Sequence, residues 1–250
     1  MNAVKRLTGK VSVVTGGGSG FGAEICRRFA AEGANVVVVD IQPDRGATLA
    51  REIGAVSVEA DVATDAGAQR MITAAVERYG RVDVMINNAG MPQSPASIVE
   101  TSEQDFDRLM AVNVKAVFLA AKYAVPIMRT AGGGVILNTV SVAAIRPRPN
   151  LSAYNASKGA ALTLTKSLAI ELAPKKIRVN AICPGPGDTP MLATFVGGDS
   201  DAHRAAFLST IPLGRLCTPA DVASAMVFLA SDDASFITGA VLEVDGGRCI

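Results

Sequence analysis

The chain has 250 residues, and its 24 Lys and Arg nearly balance its 23 Asp and Glu, giving a formal net charge of +1. This balance excludes a general polyanion-binding protein, because phosphate backbones are bound by clustered cations. Aromatic residues make up only 4%, too few for a base-stacking surface. The 49% hydrophobic content excludes a disordered chain. Apolar runs all fall short of the roughly 18 residues that span a membrane, so we expect no membrane span.

The first ten residues and the cysteines bear on the compartment. Lys5, Arg6 and Lys10 precede a short apolar run that leads directly into a glycine-rich turn, so no signal peptide is predicted. The four cysteines form no CxxC pair and no metal-like spacing with the single histidine, His203. We therefore expect reduced thiols, a cytoplasmic protein and no metal site.

Short runs of β-branched residues alternate with helix-length segments along the whole chain. Such runs are typical of strands buried on both faces of a parallel sheet. The predicted strands are Val11–Thr15, Asn35–Val39, Val56–Glu59, Asp83–Asn87, Gly134–Thr139, Arg178–Ile182 and Val241–Val244. The pattern predicts an α/β fold, a single doubly wound Rossmann-type domain over residues 1–250 with a seven-stranded parallel sheet and helices on both faces.

Capping residues and glycines set the predicted helix boundaries. The predicted helices are Ala23–Glu32, Ala66–Tyr79, a segment from Ser102 to about Met128, Ser152–Leu172 and one that begins at Thr218-Pro219. Residues 184–216 form the one long irregular segment. A segment of that length inside a compact domain predicts a substrate lid.

A glycine-rich turn follows the first strand and precedes a helix, in Thr15-Gly16-Gly17-Gly18-Ser19-Gly20-Phe21-Gly22. Glycines let the backbone approach a pyrophosphate closely, and the helix N-terminus presents free N–H groups to the anion. The same stretch could be only a tight turn. Its place in the first βαβ unit favours a dinucleotide site.

Asp40 ends the second strand, where a carboxylate accepts hydrogen bonds from the adenosine ribose and repels a 2′-phosphate. A strand-end Asp that caps a turn is the alternative. The position favours NAD over NADP, although Arg45 follows closely and could meet a phosphate. Asp61-Val62 and Asn87-Asn88-Ala89-Gly90 follow two further strands and are expected to line the same crevice.

Tyr154 and Lys158 lie four residues apart and share one helix face. A neighbouring cation stabilises a phenolate and lowers the pKa of the phenol, which yields a usable acid or base. A chance pair on one face is the alternative. Ser141 follows a strand, where its hydroxyl could hold a substrate carbonyl. Asn113 lies in an apolar helical stretch, as a buried functional amide or as a satisfied core residue.

Together these motifs resemble the compact, about 250-residue type of the short-chain dehydrogenase/reductase (SDR) family over essentially the whole chain. The resemblance rests on Thr15–Gly22, Asp61, Asn87–Gly90, Asn113, Ser141, Tyr154-x-x-x-Lys158, Pro184-Gly185 with Thr189, and Asp245-Gly246-Gly247. It implies a catalytic tetrad of Asn113, Ser141, Tyr154 and Lys158. In that tetrad Tyr154 exchanges the proton, Ser141 orients the substrate oxygen, Lys158 binds the nicotinamide ribose and Asn113 holds a water in a proton relay.

The resemblance also implies a wider cofactor site and one departure from the family pattern. The predicted cofactor-binding residues are Gly16, Gly18, Ser19, Gly20, Phe21, Gly22, Asp40, Ile41, Asp61, Val62, Asn88, Ala89, Gly90, Tyr154, Lys158, Pro184, Gly185, Gly187 and Thr189. Where the family usually has a hydrophobic residue after Pro-Gly-x, this chain has Gly187. Its backbone contact to the carboxamide is expected to persist.

Substrate residues are expected beside Ser141 and in the lid. Arg146 and Arg148 stand among prolines soon after Val142, which predicts a clamp for a carboxylate or sulfonate. A solvent-facing or intersubunit loop is the alternative. Met191 and Phe195, with Leu192 and Phe207, are expected to supply apolar walls. His203 is interpreted as a surface residue, and Cys249 as a packing or interface residue.

The sequence therefore predicts an NAD(H)-dependent oxidoreductase that interconverts a secondary alcohol and a ketone. A polyol, a sugar and an anionic hydroxy compound all remain possible substrates. A 3-oxoacyl-thioester reductase is a second possibility, weighed against by Asp40 because such enzymes commonly prefer NADPH. A non-catalytic dinucleotide sensor is a third possibility, but such a sensor would not need the tetrad that this chain carries. The family implies a homotetramer, and neither nucleic acid nor membrane is an expected partner. The small residues Ala156, Gly159, Ala160 and Thr163 permit close helix packing.

Overall fold

The computed structural model describes residues 5–196, 205 and 207–250. Seven parallel strands form one sheet in the order β3-β2-β1-β4-β5-β6-β7. The strands are β1 Val11–Thr15, β2 Asn35–Asp40, β3 Val56–Glu59, β4 Val84–Asn87, β5 Gly134–Thr139, β6 Ile177–Pro184 and β7 Val241–Val244. The predicted fold class is confirmed. Strand β6 extends beyond its predicted end at Ile182, because Cys183 and Pro184 pair with Glu243 and Val244 of β7.

Helices flank the sheet between successive strands. They are α1 Gly20–Ala31, α2 Pro43–Ile53, α3 Asp65–Tyr79, α4 Glu103–Met110, α5 Ala116–Thr130, α6 Ser152–Leu172, α7 Leu192–Val196 and α8 Pro219–Ala230. Helix α2 was missing from the sequence prediction, although Pro43 at its N-terminus and Gly54 in a left-handed conformation at its C-terminus mark both ends. The proposed lid also contains the short helix α7, so it is not irregular throughout.

The predicted single helix from Ser102 to about Met128 is wrong in one respect. One turn of π-helix, Ala111–Lys115, separates α4 from α5, and Asn113 lies within it. The backbone register therefore shifts at Asn113. Such turns are rare and occur mostly at functional sites. The helix also continues through Pro126 to Thr130.

Side-chain caps begin three helices where the sequence predicted them. Thr64 accepts a hydrogen bond from the amide of Gly67 at the start of α3, and Ser102 accepts one from Asp105 at the start of α4. At α8, Thr218 and Asp221 form a reciprocal capping box. Each such cap contributes about 1 kcal/mol to helix stability.

The two faces of the sheet carry separate apolar clusters. Cys26, Phe29, Val38 and Met226 belong to a cluster between the sheet and α1 and α8. Met71, Met85, Ala120 and Met128 belong to a second cluster between the opposite face and α3 and α5. Burial on both faces explains the uniformly apolar strands and the high hydrophobic content.

One helical segment meets the length and hydropathy criteria for a membrane span. It runs from Glu103 to Thr130, and the mean hydropathy of its most apolar window is 1.4. Leu119, Ala120 and Ala124 of this segment are buried in the core. The helix also contacts the sheet and α3. Packing against the sheet accounts for the apolar residues on one side of the segment, whereas Phe106 and Phe118 are exposed.

Candidate active site

The carboxyl ends of β1, β4, β5 and β6 open into one cavity of about 220 Å³. Its wall includes the glycine-rich turn, the segment after β4, the residues after β5, one face of α6 and parts of the predicted lid. This crevice at the strand ends is where parallel α/β sheets bind ligands, because the order of the strands reverses between β1 and β4.

The glycine-rich turn is so tightly packed that side chains are excluded at two positions. A Cβ atom on Gly22 would lie 2.1 Å from the carbonyl oxygen of Gly16, and one on Gly16 would lie 3.0 Å from Cα of Ala89. Gly16 also has a φ of +62°. Substitution there would be strained by backbone conformation as well as by contact.

Thr15 and Asn88 connect this turn to the segment after β4. The hydroxyl of Thr15 accepts hydrogen bonds from the amides of Asn88 and Ala89, at 3.0 and 3.1 Å. The side-chain amide of Asn88 donates to the carbonyl of Thr15 at 3.0 Å. These bonds fix the two cofactor-binding segments relative to each other, and Asn88 is thus a positioning residue for the turn.

The first turn of α1 suits a dinucleotide phosphate. Ser19 occupies the N-cap position, but its side chain makes no capping hydrogen bond. The leading N–H groups of a helix have no partner within the helix, and they carry a partial positive charge. With the close-packed glycines beside them, these groups form a cradle that fits a pyrophosphate.

Asp40 lies against the same turn. Its carboxylate accepts hydrogen bonds from the amides of Gly18 and Gln42, at 2.8 and 2.9 Å. The structure thus gives Asp40 the contacts of a turn cap, and its role toward the ribose stays a prediction. Its fixed negative charge borders the turn where the adenosine ribose is expected.

Like Asp40 and the turn residues Gly18 and Gly22, the predicted cofactor residues Ile41, Asp61 and Val62 lie outside the cavity wall. Ile41 follows Asp40 and is exposed, as expected for a residue that would cover an adenine from one side. Asp61 accepts a hydrogen bond from the amide of Ala63 at 2.9 Å, and Val62 is partly buried against the core.

Tyr154 lies on α6 and is 7% exposed. Burial raises the pKa of its phenol to about 12. A hydrogen bond with Ser141 and the positive charge of Arg148 both act to lower that pKa. Ser141 in turn is held at the end of β5, where its hydroxyl accepts from the amide of Ala143 at 3.1 Å. The predicted Ser141–Tyr154 pair is therefore brought into contact.

Lys158 lies one turn further along α6 and is 5% exposed. Its ammonium donates to the carbonyl of Thr139 at 3.1 Å, and it lies 5.8 Å from the centre of the Tyr154 ring. Burial lowers the pKa of Lys158 to about 8. The sequence interpretation assigned the lowering of the Tyr154 pKa to Lys158. In the structure Ser141 and Arg148 act to lower that pKa and burial outweighs them, so the effect of Lys158 stays a prediction.

Asn113 is 2% exposed, and its side chain is fully engaged. Its carbonyl accepts from the amide of Met91 at 2.8 Å, and its amide donates to the carbonyl of Met91 and the hydroxyl of Ser157, at 3.1 and 3.0 Å. Asn113 therefore joins the π-helical turn to the segment after β4 and to α6. These are the contacts of a satisfied core amide at the edge of the site.

Gln93 is a site residue that the sequence analysis missed. Its carbonyl accepts a hydrogen bond from the backbone amide of Tyr154 at 2.8 Å. The residue at the N-cap of α6, Leu151, has no polar side chain to do so. Gln93 is also buried, being 7% exposed. It therefore satisfies an amide at the start of α6 and fixes the turn that carries Tyr154.

A chain of buried polar side chains connects β4, β5 and α6 below the site. Asn87 donates to Asn138 at 2.8 Å, and Asn138 donates to Thr165 at 2.8 Å. Thr165 donates to the carbonyl of Ala161 within its own helix. Satisfied buried networks of this kind rigidify their surroundings. This network, together with Gln93, fixes α6 against the strands that carry Asn88 and Ser141.

The segment after β6 passes over the turn and is fixed to the segment before α8. Backbone hydrogen bonds of 2.9 Å run from Cys217 to Pro186 and from Asp188 to Cys217. Gly187 lies directly on the ring of Phe21. The other predicted residues of this segment, Pro184, Gly185 and Thr189, line the cavity as well.

Apolar side chains form the wall opposite the glycine-rich turn. Met191, Leu192, Phe195 and Phe207 all line the cavity, as the sequence predicted, together with Val142. The ring of Phe195 meets that of Tyr154 edge to face, at 5.0 Å between centres. His203 lies outside the described residues.

The two predicted substrate arginines are separated. Arg148 lines the cavity, whereas Arg146 is exposed and donates to the backbone carbonyl of Arg248 at 2.5 Å. The predicted substrate clamp therefore holds for the position of Arg148 only. Arg248, which the sequence analysis did not select, also lines the cavity. Nothing in the local sequence around position 248 distinguishes it from a surface arginine.

Close to Arg248, three potential metal ligands cluster. Ligand atoms of Glu243, Asp245 and Cys249 lie within 4.8 Å of one another. Both carboxylate oxygens of Asp245 accept backbone hydrogen bonds, from Gly247 and Cys249. The contacts of Asp245 are therefore those of a turn-forming residue.

Comparisons with known proteins agree with this geometry. The family described as enoyl-(acyl carrier protein) reductase matches residues 16–248. The chain is 44% identical to 4-formylbenzenesulfonate dehydrogenase of Comamonas testosteroni, with 98% of this chain and 99% of the relative covered. It is 40% identical to 2-(R)-hydroxypropyl-CoM dehydrogenase of Xanthobacter autotrophicus, with 95% and 97% covered.

A solved structure is similar throughout. The 3-ketoacyl-(acyl-carrier-protein) reductase of Brucella melitensis, in complex with NADH, superposes with a TM-score of 0.93. It is 45% identical in sequence, with 98% of this chain and 100% of that chain covered.

Proposed function

Because the chain belongs to the short-chain dehydrogenase/reductase family, we propose that it is an NAD(H)-dependent oxidoreductase interconverting a secondary alcohol and a ketone. One observation carries the proposal. Ser141, Tyr154 and Lys158 converge on one cavity whose opposite wall is the glycine-rich turn. This places acid–base groups beside a site built for a dinucleotide.

In the proposed reaction Tyr154 is the general acid and base. As the phenolate, Tyr154 accepts the hydroxyl proton of the alcohol during oxidation and becomes the phenol. As the phenol, it donates that proton to the carbonyl oxygen during reduction and becomes the phenolate. Ser141 is already within hydrogen-bond reach of Tyr154 and holds the same substrate oxygen. The nicotinamide, when bound, supplies or accepts the hydride.

Lys158 and Asn113 support that proton transfer. The buried ammonium of Lys158 is fixed by the carbonyl of Thr139, on the side of α6 that faces the cavity, and is proposed to bind the nicotinamide ribose. Asn113 is proposed to act by holding the segment after β4 in place and by maintaining the π-helical turn, where a displaced backbone carbonyl could hold a relay water.

NAD is the proposed dinucleotide. The carboxylate of Asp40, held by the amides of Gly18 and Gln42, can accept the ribose hydroxyls and repels a 2′-phosphate. The residues predicted from the sequence, from Gly16 to Thr189, are proposed as the binding site.

The substrate class follows from the wall opposite the turn. Among a polyol, a sugar and an anionic hydroxy compound, the apolar residues disfavour the first two. A relative whose name contains a benzenesulfonate favours the third. A 3-oxoacyl-thioester reductase is the second candidate. The similar reductase of Brucella melitensis was solved with NADH, so a preference for NAD does not argue against it.

Two properties of the whole protein are also proposed. A homotetramer is favoured by small exposed residues on α6, where a Cβ atom on Gly159 would meet nothing within 4 Å, and by Ile170, which is 80% exposed. Four free cysteines, three of them buried, suit a reducing cytoplasm.

The test is turnover of a panel of secondary alcohols and of one 3-oxoacyl thioester with NAD and NADP, followed by nicotinamide absorbance. We expect oxidation with NAD to fall by at least about a hundredfold in Tyr154→Phe. The matched control Tyr79→Phe should retain full activity. Full turnover by Tyr154→Phe would contradict the catalytic role and favour a dinucleotide sensor.

A further inference from the structure

Arg148 is a half-buried cation whose side chain has no hydrogen-bond acceptor within the part of the chain that the structure describes. Its guanidinium lies 4.3 Å from the centre of the Phe207 ring, on the cavity wall. Among the described residues it forms no ion pair and no side-chain hydrogen bond. A guanidinium carries five N–H donors, and leaving them unpaired in a partly buried position is unfavourable.

Arg248 stands beside the same ring. Its guanidinium is 5.5 Å from the centre of Phe207 and donates to the hydroxyl of Thr210 at 2.7 Å. It too lines the cavity and has no carboxylate partner among residues 5–196, 205 and 207–250. Burial lowers the pKa of both guanidinium groups, and the charge of Arg248 lowers that of Arg148 further. Two like charges thus lie close together, and among the described residues neither forms an ion pair, although the charge of Asp245 acts on Arg248 from a distance.

Both arginines are held in place by their own backbones. Asn155 of α6 donates to the carbonyl of Arg148 at 2.8 Å and accepts from its amide at 3.4 Å. Arg146 donates to the carbonyl of Arg248. The backbones that carry the two guanidinium groups are therefore fixed before any ligand binds, which reduces the entropy lost when one does.

The cavity that the arginines share with the catalytic pair has several apolar residues in its wall. Leu151, Phe195, Met191 and Val142 line it. Arg148 is near enough to Tyr154 that its charge lowers the pKa of the phenol. A ligand held by the arginines can therefore reach Tyr154 through an apolar body.

We infer that Arg148 and Arg248 form an anion subsite for a hydroxy or keto substrate with an apolar body and a terminal sulfonate or carboxylate. This inference rests on the proposed function, because it assigns a substrate class to the same cavity. Neither arginine belongs to the glycine-rich turn or to the predicted cofactor residues. Arginine forks match both oxyanions in geometry and charge.

The experiment compares three alcohols that differ only at one end: 1-(4-sulfophenyl)ethanol, 1-(4-carboxyphenyl)ethanol and 1-phenylethanol. The measured quantity is the ratio of kcat/KM for each anionic alcohol to that for the neutral one. We expect this ratio to exceed roughly tenfold in the wild type, as charge-assisted hydrogen bonds allow. It should approach one in Arg148→Gln/Arg248→Gln and recover in part in Arg148→Lys and Arg248→Lys. Arg51→Gln, which removes an exposed arginine of α2, should leave the ratio unchanged.

Comparing the two anionic alcohols identifies which oxyanion the subsite prefers. Equal losses on anionic and neutral alcohols in the double Gln variant, or a wild-type ratio near one, would overturn the subsite while leaving the proposed reaction intact. Thermal denaturation checks that each variant is folded.

Failure of the proposed function is distinguished by equilibrium binding. Titration calorimetry with 4-acetylbenzenesulfonate and with acetophenone needs no turnover. One outcome is that no alcohol is oxidised but the sulfonate binds at least tenfold more tightly to the wild type than to the double variant. This result would support the anion subsite and contradict the proposed reaction. Equal affinities for both forms of the protein would overturn the subsite whatever the turnover.

Discussion

A Cβ atom at position 187 would lie 2.4 Å from Cζ of Phe21. Real Cβ atoms do not approach a ring carbon so closely, so the two positions depend on each other. The ring of Phe21, in the glycine-rich turn, occupies the space that a larger residue at position 187 would fill. The departure from the family pattern at Gly187 is thus compensated at position 21.

Gly187→Ala is therefore expected to destabilise the protein although the backbone there needs no glycine. Overpacking of this kind reduces the free energy of unfolding by about 1–3 kcal/mol. We expect the KM for NAD to rise as well, because the segment and the turn both line the cofactor side of the cavity. The measurements are urea denaturation and initial rates.

Phe21→Leu/Gly187→Ala supplies the control for this pair. Replacing the ring by a smaller side chain should restore most of the stability lost in the single variant, with a coupling energy of at least about 0.5 kcal/mol. Strictly additive losses in the double-mutant cycle would show that the two residues are independent.

Asp40→Asn tests the choice of dinucleotide. The change removes the negative charge and keeps an oxygen that can accept from Gly18 or Gln42. We expect the ratio of kcat/KM for NAD to that for NADP to fall by roughly tenfold or more, since a repelled 2′-phosphate becomes tolerated. Asp107→Asn, an exposed carboxylate on α4, is the matched control. An unchanged ratio would remove Asp40 from cofactor selection.

Lys158→Met tests the electrostatic cost of the buried ammonium. With a folded-state pKa of about 8 against an ordinary 10.5, Lys158 binds fewer protons in the folded than in the unfolded protein between these values. The contribution of Lys158 to the free energy of unfolding of the wild type therefore rises with pH between these two pKa values. Below pH 8 the charged amine destabilises the fold by roughly 3 kcal/mol at most.

The expected result is a difference between the wild type and Lys158→Met in how the free energy of unfolding depends on pH. The free energy of unfolding of Lys158→Met, relative to that of the wild type, should be highest near pH 7 and should decrease as the pH rises toward 10. Losing the hydrogen bond to Thr139 subtracts an amount that does not depend on pH, so it does not alter this trend. Denaturant midpoints at several pH values measure it. Parallel curves would show that the ammonium is not buried at this cost.

Gln93→Leu tests a positioning role. The amide of Tyr154 would lose its acceptor, so we expect the thermal midpoint to fall and kcat to fall roughly tenfold, because small misplacements of catalytic groups are costly. Gln69→Leu, on the exposed face of α3, is the matched control. A loss of stability with unchanged kcat would leave Gln93 a purely structural cap.

Gln93→Glu further distinguishes a positioning role of Gln93 from a purely structural one. It retains an acceptor for the amide of Tyr154, and its carboxylate would favour the protonated phenol. We therefore expect recovery of the thermal midpoint and a shift of the kcat profile for alcohol oxidation toward higher pH. An unshifted profile would place Gln93 too far from the phenol to affect it.

Local patterns were sufficient to predict the sheet and to select Tyr154 and Lys158, whereas the tetrad itself was implied by the family resemblance and stays a prediction. Buried parallel strands such as Asn35–Asp40 are continuous apolar runs, and the spacing of Tyr154 and Lys158 is one helical turn. Helix α2 was overlooked despite such signals at both of its ends. The π-helical turn at Asn113 left no comparable signal, since its residues suit an ordinary helix.

Long-range contacts account for the remaining differences. Gln93 and Tyr154 are 61 residues apart, and the contact follows from how the segment after β4 packs on α6. Arg148 and Arg248 meet only because both approach Phe207. The pKa of Tyr154 depends on burial, which spacing along a helix does not reveal.

The hydrogen-bonded network of Asn87, Asn138 and Thr165 belongs to a different part of the fold from the segments proposed to contact the substrate. Substitutions in these two parts therefore have different consequences in evolution. Residues that transfer the proton are attached to a hydrogen-bonded scaffold of strands and one helix. Residues proposed to face the far end of the substrate belong to connecting segments, at positions 142–151, 187–195, 207 and 248. Exchange of those segments can therefore alter the range of accepted substrates while the reaction is conserved, which makes this scaffold a suitable recipient for grafted loops.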